Sequence, residues 1–127
     1  MISIDYSDKS PIYEQVLRKM ENLIVNGVLA PDDKMPSVRN LAIELSINPN
    51  TIQRAYGELE RKGYIYTVKG RGNFVCGSDK WRSTKVEALE KQLIQVLREL
   101  KNVNVDGDHI KKIVDECLGG KNNDKNQ

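Results

Sequence analysis

A chain of 127 residues with 39% apolar and 30% charged side chains has the balance of a water-soluble protein and the length of one compact domain with an appendage. No apolar run approaches the roughly 20 residues that span a bilayer, and Met1-Ile2-Ser3-Ile4-Asp5 lacks the charged-then-apolar order of a signal peptide, so no membrane partner and a cytoplasmic location are expected. The net charge of +2 is unevenly spread: residues 34–75 hold seven basic and three acidic side chains, whereas residues 1–33 hold three basic and six acidic, which concentrates positive charge in the middle of the chain.

Ile2 and Ile4 alternate with Ser3 and Asp5, the pattern of a short strand. Ser10 then reads as an N-cap with Pro11 at the first helical position. Ile12, Val16, Met20, Leu23 and Ile24 fall on one helical face, and Gly27 supplies the stop. Leu29-Ala30-Pro31-Asp32-Asp33-Lys34-Met35-Pro36 is a turn-rich connector. Ser37 caps a second, short helix whose Val38, Leu41, Ala42 and Leu45 repeat at i, i+3, i+4 and i+7. After a turn at Ser46-Ile47, Asn48-Pro49 repeats the cap-then-proline start. The third helix carries Ile52, Ala55, Tyr56 and Leu59 inward and ends at Gly63. Two short helices across a tight turn make a helix-turn-helix.

Tyr64-Ile65-Tyr66-Thr67-Val68 is β-branched and aromatic, hence a strand. Lys69-Gly70-Arg71-Gly72 is a hairpin tip, and Asn73-Phe74-Val75 returns. A hairpin directly after the second helix of a helix-turn-helix is a wing. Thr84 and Glu87 have the spacing of a capping box for a fourth helix. Its Val86, Leu89, Leu93, Val96, Leu100 and Val103 alternate spacings of three and four, a heptad seam that needs a covering surface. Ile94 and Leu97 widen that face. Asp106 or Asp108 caps a fifth helix with Ile110, Ile113, Val114, Cys117 and Leu118, stopped by Gly119-Gly120. Residues 121–127 are polar and expected to be disordered. The fold class is therefore mainly α with a small β wing (α+β). Residues 1–77 form a winged helix-turn-helix domain, and residues 78–120 form a short two-helix tail.

The residues at Met35-Pro36-Ser37-Val38-Arg39, Leu41-Ala42, Asn48-Pro49-Asn50-Thr51-Ile52, Ala55-Tyr56, Leu59-Glu60, Lys62-Gly63-Tyr64-Ile65, Gly70-Arg71-Gly72 and Phe74-Val75 resemble the GntR family of bacterial transcription regulators. The resemblance covers roughly residues 7 to 76. The short helical tail and Asn48-Pro49-Asn50-Thr51 are similar to the YtrA-type branch of that family. That likeness implies no large effector-binding domain, a homodimer formed through the C-terminal helices (Val86, Leu89, Leu93, Val96, Leu100 and Val103 here), and usually repression, with transporter operons as targets. Two features depart from the family: Asp32 follows Pro31 where glycine is frequent, and Pro49 and Gln53 stand where many relatives have arginine. The resemblance therefore carries no base preference to this chain.

Stepping about 100° per residue around the third helix puts Asn50, Gln53, Arg54, Gly57 and Arg61 opposite the apolar stripe. This polar, long-reaching face suits a major groove: Gln53 can pair with adenine, and Arg54 with guanine or a phosphate. Asn48, Asn50 and Thr51 sit where free backbone N–H groups favour a phosphate. Gly57 costs about 1 kcal/mol in a helix interior, explained either by crowding against DNA or by drift. The resemblance implies that Arg39, at the start of the second helix, contacts DNA beside the third. Glycines let Lys69 and Arg71 bring charge to a minor groove. The candidate DNA-binding set is thus Ser37, Arg39, Asn48, Pro49, Asn50, Thr51, Gln53, Arg54, Lys69, Gly70 and Arg71, and the expected partners are double-stranded operator DNA and a second copy of the chain.

The alternative is a winged helix used as a protein-interaction module, which would not need that face or a basic wing. An enzyme is not expected, because the chain has no phosphate loop and no Ser/His/Asp set. Cys76 and Cys117 are distant and lack a CxxC partner, and His109 is the single histidine. Neither a metal site nor any other cofactor is therefore expected, nor a disulfide in a reducing cytosol.

Overall fold

Local signals set the element ends in the computed structural model, which describes residues 1–119. In chain order the elements are α1 (Ile12–Val25), α2 (Val38–Leu45), α3 (Pro49–Arg61), β1 (Ile65–Val68), β2 (Gly72–Val75), a 3-10 turn (Ser78–Lys80), α4 (Arg82–Asn102) and α5 (Gly107–Cys117). The fold is mainly helical with one antiparallel hairpin, β1 running against β2 with Ile65 opposite Val75. Ser37 Oγ accepts the Asn40 N–H at 3.0 Å to start α2. Asn48 Oδ1 accepts the Asn50 N–H at 2.8 Å, with Pro49 at the first helical position of α3. Each bond satisfies a backbone donor that the helix itself leaves free.

The described residues form two compact units, one of residues 1–85 and one that begins at Val86. In the first unit, Val16, Met20 and Ile24 of α1 meet Leu41 and Ala42 of α2 and Ile52, Ala55, Tyr56 and Leu59 of α3. Leu29, Met35, Tyr64, Ile65, Val75 and Trp81 close this core, and Tyr64 stacks on Trp81 with ring centroids 5.3 Å apart. Fully burying a side chain such as Leu59 contributes about 1.5–3 kcal/mol. The Tyr56 hydroxyl donates to the Pro36 carbonyl at 2.7 Å, tying α3 to the entry of α2. Burial, with the charge of Glu44 second, raises its pKa and keeps it a donor.

Three starts differ from expectation. Ile2 and Ile4 pack against the core but form no strand. The reason is Gln15, which is fully buried and takes both backbone groups of Asp5: its Oε1 accepts the N–H and its Nε2 donates to the carbonyl, each at 3.0 Å. A side chain thus occupies the groups a strand partner would use. Ser10 does not cap α1. Its hydroxyl and N–H both donate to Asp8 Oδ1, at 2.8 and 2.9 Å, so the cap position falls on Pro11, whose carbonyl accepts from Glu14 and Gln15. Thr84 and Glu87 form no capping box either. The Ser78–Lys80 turn leads straight into α4 at Arg82, and the Lys85 N–H already donates to the Trp81 carbonyl.

The connector before α2 is more ordered than its turn-forming residues suggest. Asp32 N–H donates to Val75 O at 2.8 Å, Val75 N–H to Asp33 O at 2.9 Å, and Met35 N–H to Asn73 O at 2.8 Å. Lys34 bridges to Phe74, so the connector runs beside the wing as an extended edge. Asp32 adopts φ +69°, the conformation that glycine takes most easily, at a cost of roughly 1–2 kcal/mol for an L side chain. Its carboxylate accepts the Tyr66 hydroxyl at 2.8 Å, which offsets part of that cost and anchors the connector to β1.

In the second unit, α4 displays Leu89, Leu93, Ile94 and Val96, and α5 displays Ile113 and Val114, all exposed. Leu118, just after α5, is also exposed. Val103 does not lie on α4 as expected. The helix ends at Asn102, where a turn with Asn104 at φ +64° begins, and Val103 is 70% exposed. Asp106 is the cap position of α5, without a side-chain bond. The expected stop at Gly120 and the disorder of residues 121–127 lie outside the described residues.

Candidate nucleic-acid interface

The inward stripe of α3 is buried at Ile52, Ala55, Tyr56 and Leu59. The opposite face is therefore turned to solvent and presents Asn50, Gln53, Arg54 and Gly57. Ser37, Arg39, Asn48, Pro49, Lys69, Gly70 and Arg71 are likewise exposed, and Thr51 is half-buried. Ser37 and Asn48 hold their helix starts with one side-chain oxygen each, leaving the hydroxyl hydrogen and the amide NH₂ free to donate.

The cations differ in availability. Arg61 is engaged by Glu58, with Nη2 2.7 Å from Oε1. That hydrogen bond is the main cause of the lowered Glu58 pKa. Lys62 and Lys85 flank the nearly buried Glu21 at 3.1 and 3.6 Å. Arg39, Lys69 and Arg71 make no ion pair among the described residues. The wing cations and Arg39 are thus unpaired among the described residues, whereas Arg61, Lys62 and Lys85 are engaged by Glu58 and Glu21.

Arg54 is held in a way the sequence did not indicate. Its Cζ lies 3.7 Å from the centroid of the Tyr13 ring on α1. Beside this pair is an open cleft of about 440 Å³ lined by Pro11, Ile12, Tyr13, Asn50, Thr51 and Arg54. Tyr13 was missed because it stands next to the apolar stripe of α1 and carries no local mark of its partner. Lys34 was missed as more than a charge. Its Cε is 3.2 Å from where a Gly72 Cβ would stand, which places it alongside the wing strand.

The wing tip is a tight reversal in which Arg71 N–H donates to Val68 O at 2.9 Å. Gly70 at φ +79° and Gly72 at φ +120° supply conformations that other residues adopt poorly. Tyr66 and Phe74 stack at 5.7 Å across the hairpin, and Thr67 Oγ1 donates to Asn73 Oδ1 at 2.7 Å. These cross-strand contacts brace the loop that carries Lys69 and Arg71. At Gly57, an added Cβ would meet nothing within 4 Å, so no packing contact within the chain demands glycine there. Among the described residues no helix is long and apolar enough to cross a membrane, and no group of three or more His, Cys, Asp or Glu side chains could hold a metal ion.

Residues 12–75 match the family of bacterial regulatory proteins designated gntR. The HTH-type transcriptional repressor YtrA of Bacillus subtilis is 40% identical, over 98% of this chain and 100% of that protein. A transcriptional regulator from Oenococcus oeni is similar in structure, with a TM-score of 0.77 and 37% identity, covering 94% of this chain and all of that one. The DNA-binding domain of AraR in complex with operator ORE1 matches with a TM-score of 0.52 and 30% identity, over 60% of this chain and 93% of that one. These relatives are transcription regulators rather than enzymes. With its helix-turn-helix, its wing and this match, the chain belongs to the GntR family of DNA-binding transcription regulators.

Proposed function

We propose that the chain is a cytoplasmic homodimeric repressor that binds a palindromic operator and controls a transporter operon. The observation that carries this reading is the solvent-facing side of α3, whose Asn50, Gln53 and Arg54 are exposed in one chain with the unpaired wing cations Lys69 and Arg71. Asn50 and Gln53 meet base edges in the major groove. Ser37, Arg39, Asn48, Pro49 and Thr51 line the approach to the backbone, and the Lys69-Gly70-Arg71 tip enters the adjacent minor groove. The exposed apolar side chains of α4 and α5 support pairing with a second copy, which would set two half-sites about one helical turn (~34–36 Å) apart. The full-length likeness to a repressor supports repression.

Footprinting on the DNA upstream of the chain's own gene, followed by titration of the protected duplex, tests this reading. Affinity is expected to fall steeply with salt, by about 0.9 log units per log unit for each phosphate neutralised. Lys69→Ala should weaken binding to every sequence and flatten that slope by roughly one such contact. No shift at low salt, together with capture of a protein partner, would replace this function with that of an interaction module.

Gly57→Ala separates the two explanations of a glycine in mid-helix. With open space around the new methyl, it should raise stability by about 0.5–1 kcal/mol in a urea titration. If Gly57 is there to let DNA approach, operator affinity falls at the same time; unchanged affinity would leave drift as the explanation.

A further inference from the structure

We propose that Tyr13 is a positioning residue for DNA binding, holding the Arg54 guanidinium by its face and presenting the N–H edge to a backbone phosphate at the flank of α3. This rests on the DNA-binding reading above and adds to it a role for α1.

The geometry carries the argument. A Cζ-to-centroid separation of 3.7 Å is van der Waals contact between flat groups, since an N–H aimed at the ring would hold Cζ farther off. A face-stacked guanidinium keeps its donors in their own plane, away from the ring. Among the described residues no protein acceptor engages them. Arg61, two turns on, is the contrast: its Nε and Nη2 are consumed by Glu58. Arg54 is thus immobilised without being neutralised, and the rotamer freedom that a free arginine loses on binding is already restricted.

Its direction selects the ligand. Asn50, Gly57 and Arg54 stand near the pole of α3, opposite the buried stripe, with Arg54 on the side that Thr51 and Glu58 share. From there its guanidinium leans off the pole toward that flank, onto Tyr13 of α1. In a major groove the base edges form the floor that a helix pole faces, and the phosphates form the walls beside its flanks. The cleft at that flank, bounded by Asn50 and Thr51 on α3 and by Pro11 and Ile12 at the start of α1, is open beside the stacked pair. Glu58, the carboxylate on the same flank, is bound by Arg61.

The test uses the full chain, the footprinted duplex and a random-sequence duplex of equal length, at several salt concentrations. Thermal melts confirm that each variant folds. Tyr13→Leu should weaken binding to both duplexes by about threefold with the salt slope kept, as expected for losing a cation–π contact at an exposed site. Tyr13→Phe, which keeps the ring, should bind like the unsubstituted chain. Arg54→Ala should weaken both duplexes about tenfold and reduce the slope by about 0.9. Adding Tyr13→Leu to Arg54→Ala should change nothing further, because the tyrosine acts through the arginine. The proposal is overturned if Tyr13→Phe loses as much as Tyr13→Leu, or if the Tyr13→Leu loss persists without Arg54. It is also overturned if Arg54→Ala alters preference at one base position and leaves the slope intact. Failure of the unsubstituted chain to bind either duplex would remove the DNA-binding reading itself, whereas failure confined to these variants removes only the role of Tyr13.

Discussion

Replacing Leu93 with glutamate is expected to separate the proposed dimer and lower operator affinity by about 100-fold or more, because two half-sites would then be bound independently and the gain from linked binding is lost. Leu93 stands mid-way along the apolar face of α4 and is 54% exposed in the single chain. The substitution therefore costs the isolated chain little. In a symmetric pair the same substitution enters the interface from both copies, and an unpaired carboxylate taken out of water costs several kcal/mol. Sedimentation should show a dimer for the unsubstituted chain and a monomer for Leu93→Glu, with the thermal melt of the first unit unchanged. A dimer that survives the substitution would place the contact elsewhere and leave the α4 seam to another surface.

Gly63→Ala should unfold the DNA-binding unit at markedly lower temperature. Gly63 ends α3 with the two crossed backbone bonds of a Schellman motif: its own N–H donates to Glu60 O at 3.0 Å, and the Tyr64 N–H to Leu59 O at 2.9 Å. The motif needs φ > 0, here +87°, which costs an L residue roughly 1–2 kcal/mol. Space adds to the strain, because a Cβ would stand 2.8 Å from the Lys80 carbonyl oxygen and 3.3 Å from its carbon. Backbone on both sides leaves no flexible side chain to move aside. The combined loss should be about 2–4 kcal/mol, read as a lower urea midpoint with an unchanged slope. The same residue sets the direction in which β1 leaves α3. Variant protein that remains folded should therefore bind DNA more weakly, since wing and recognition helix would no longer share one spacing. A midpoint equal to that of the unsubstituted chain would mean that the Ser78–Lys80 turn yields to the added methyl.

The helix-turn-helix was legible because its determinants are local. Ser37 and Asn48-Pro49 satisfy donors two or three residues away, the stripes of α2 and α3 repeat within one turn, and the glycines at 63, 70 and 72 mark backbone that other residues resist. The exposed face of α3 follows from the same period, since burying Ile52, Ala55, Tyr56 and Leu59 leaves Asn50, Gln53 and Arg54 outside. Where the reading failed, the competing partner lay outside that window or took a group assigned to something else. Asp8 took the Ser10 hydroxyl, Gln15 took the backbone of Asp5, and the Ser78–Lys80 turn started α4 ahead of Thr84.

By itself, then, the sequence determined the mainly helical fold, the two caps, the wing and which side of α3 faces solvent. Each of these depends on interactions within a few residues or on a repeat along one element. Only the tertiary structure decided that the connector at Asp32–Met35 pairs with the wing, that Glu58 engages Arg61 while Lys69 and Arg71 stay unpaired, and that Arg54 rests on Tyr13. The first and last of these join residues about forty positions apart with no periodic imprint to announce them, and the Arg61 pairing is a choice among several spacings that a helix surface allows.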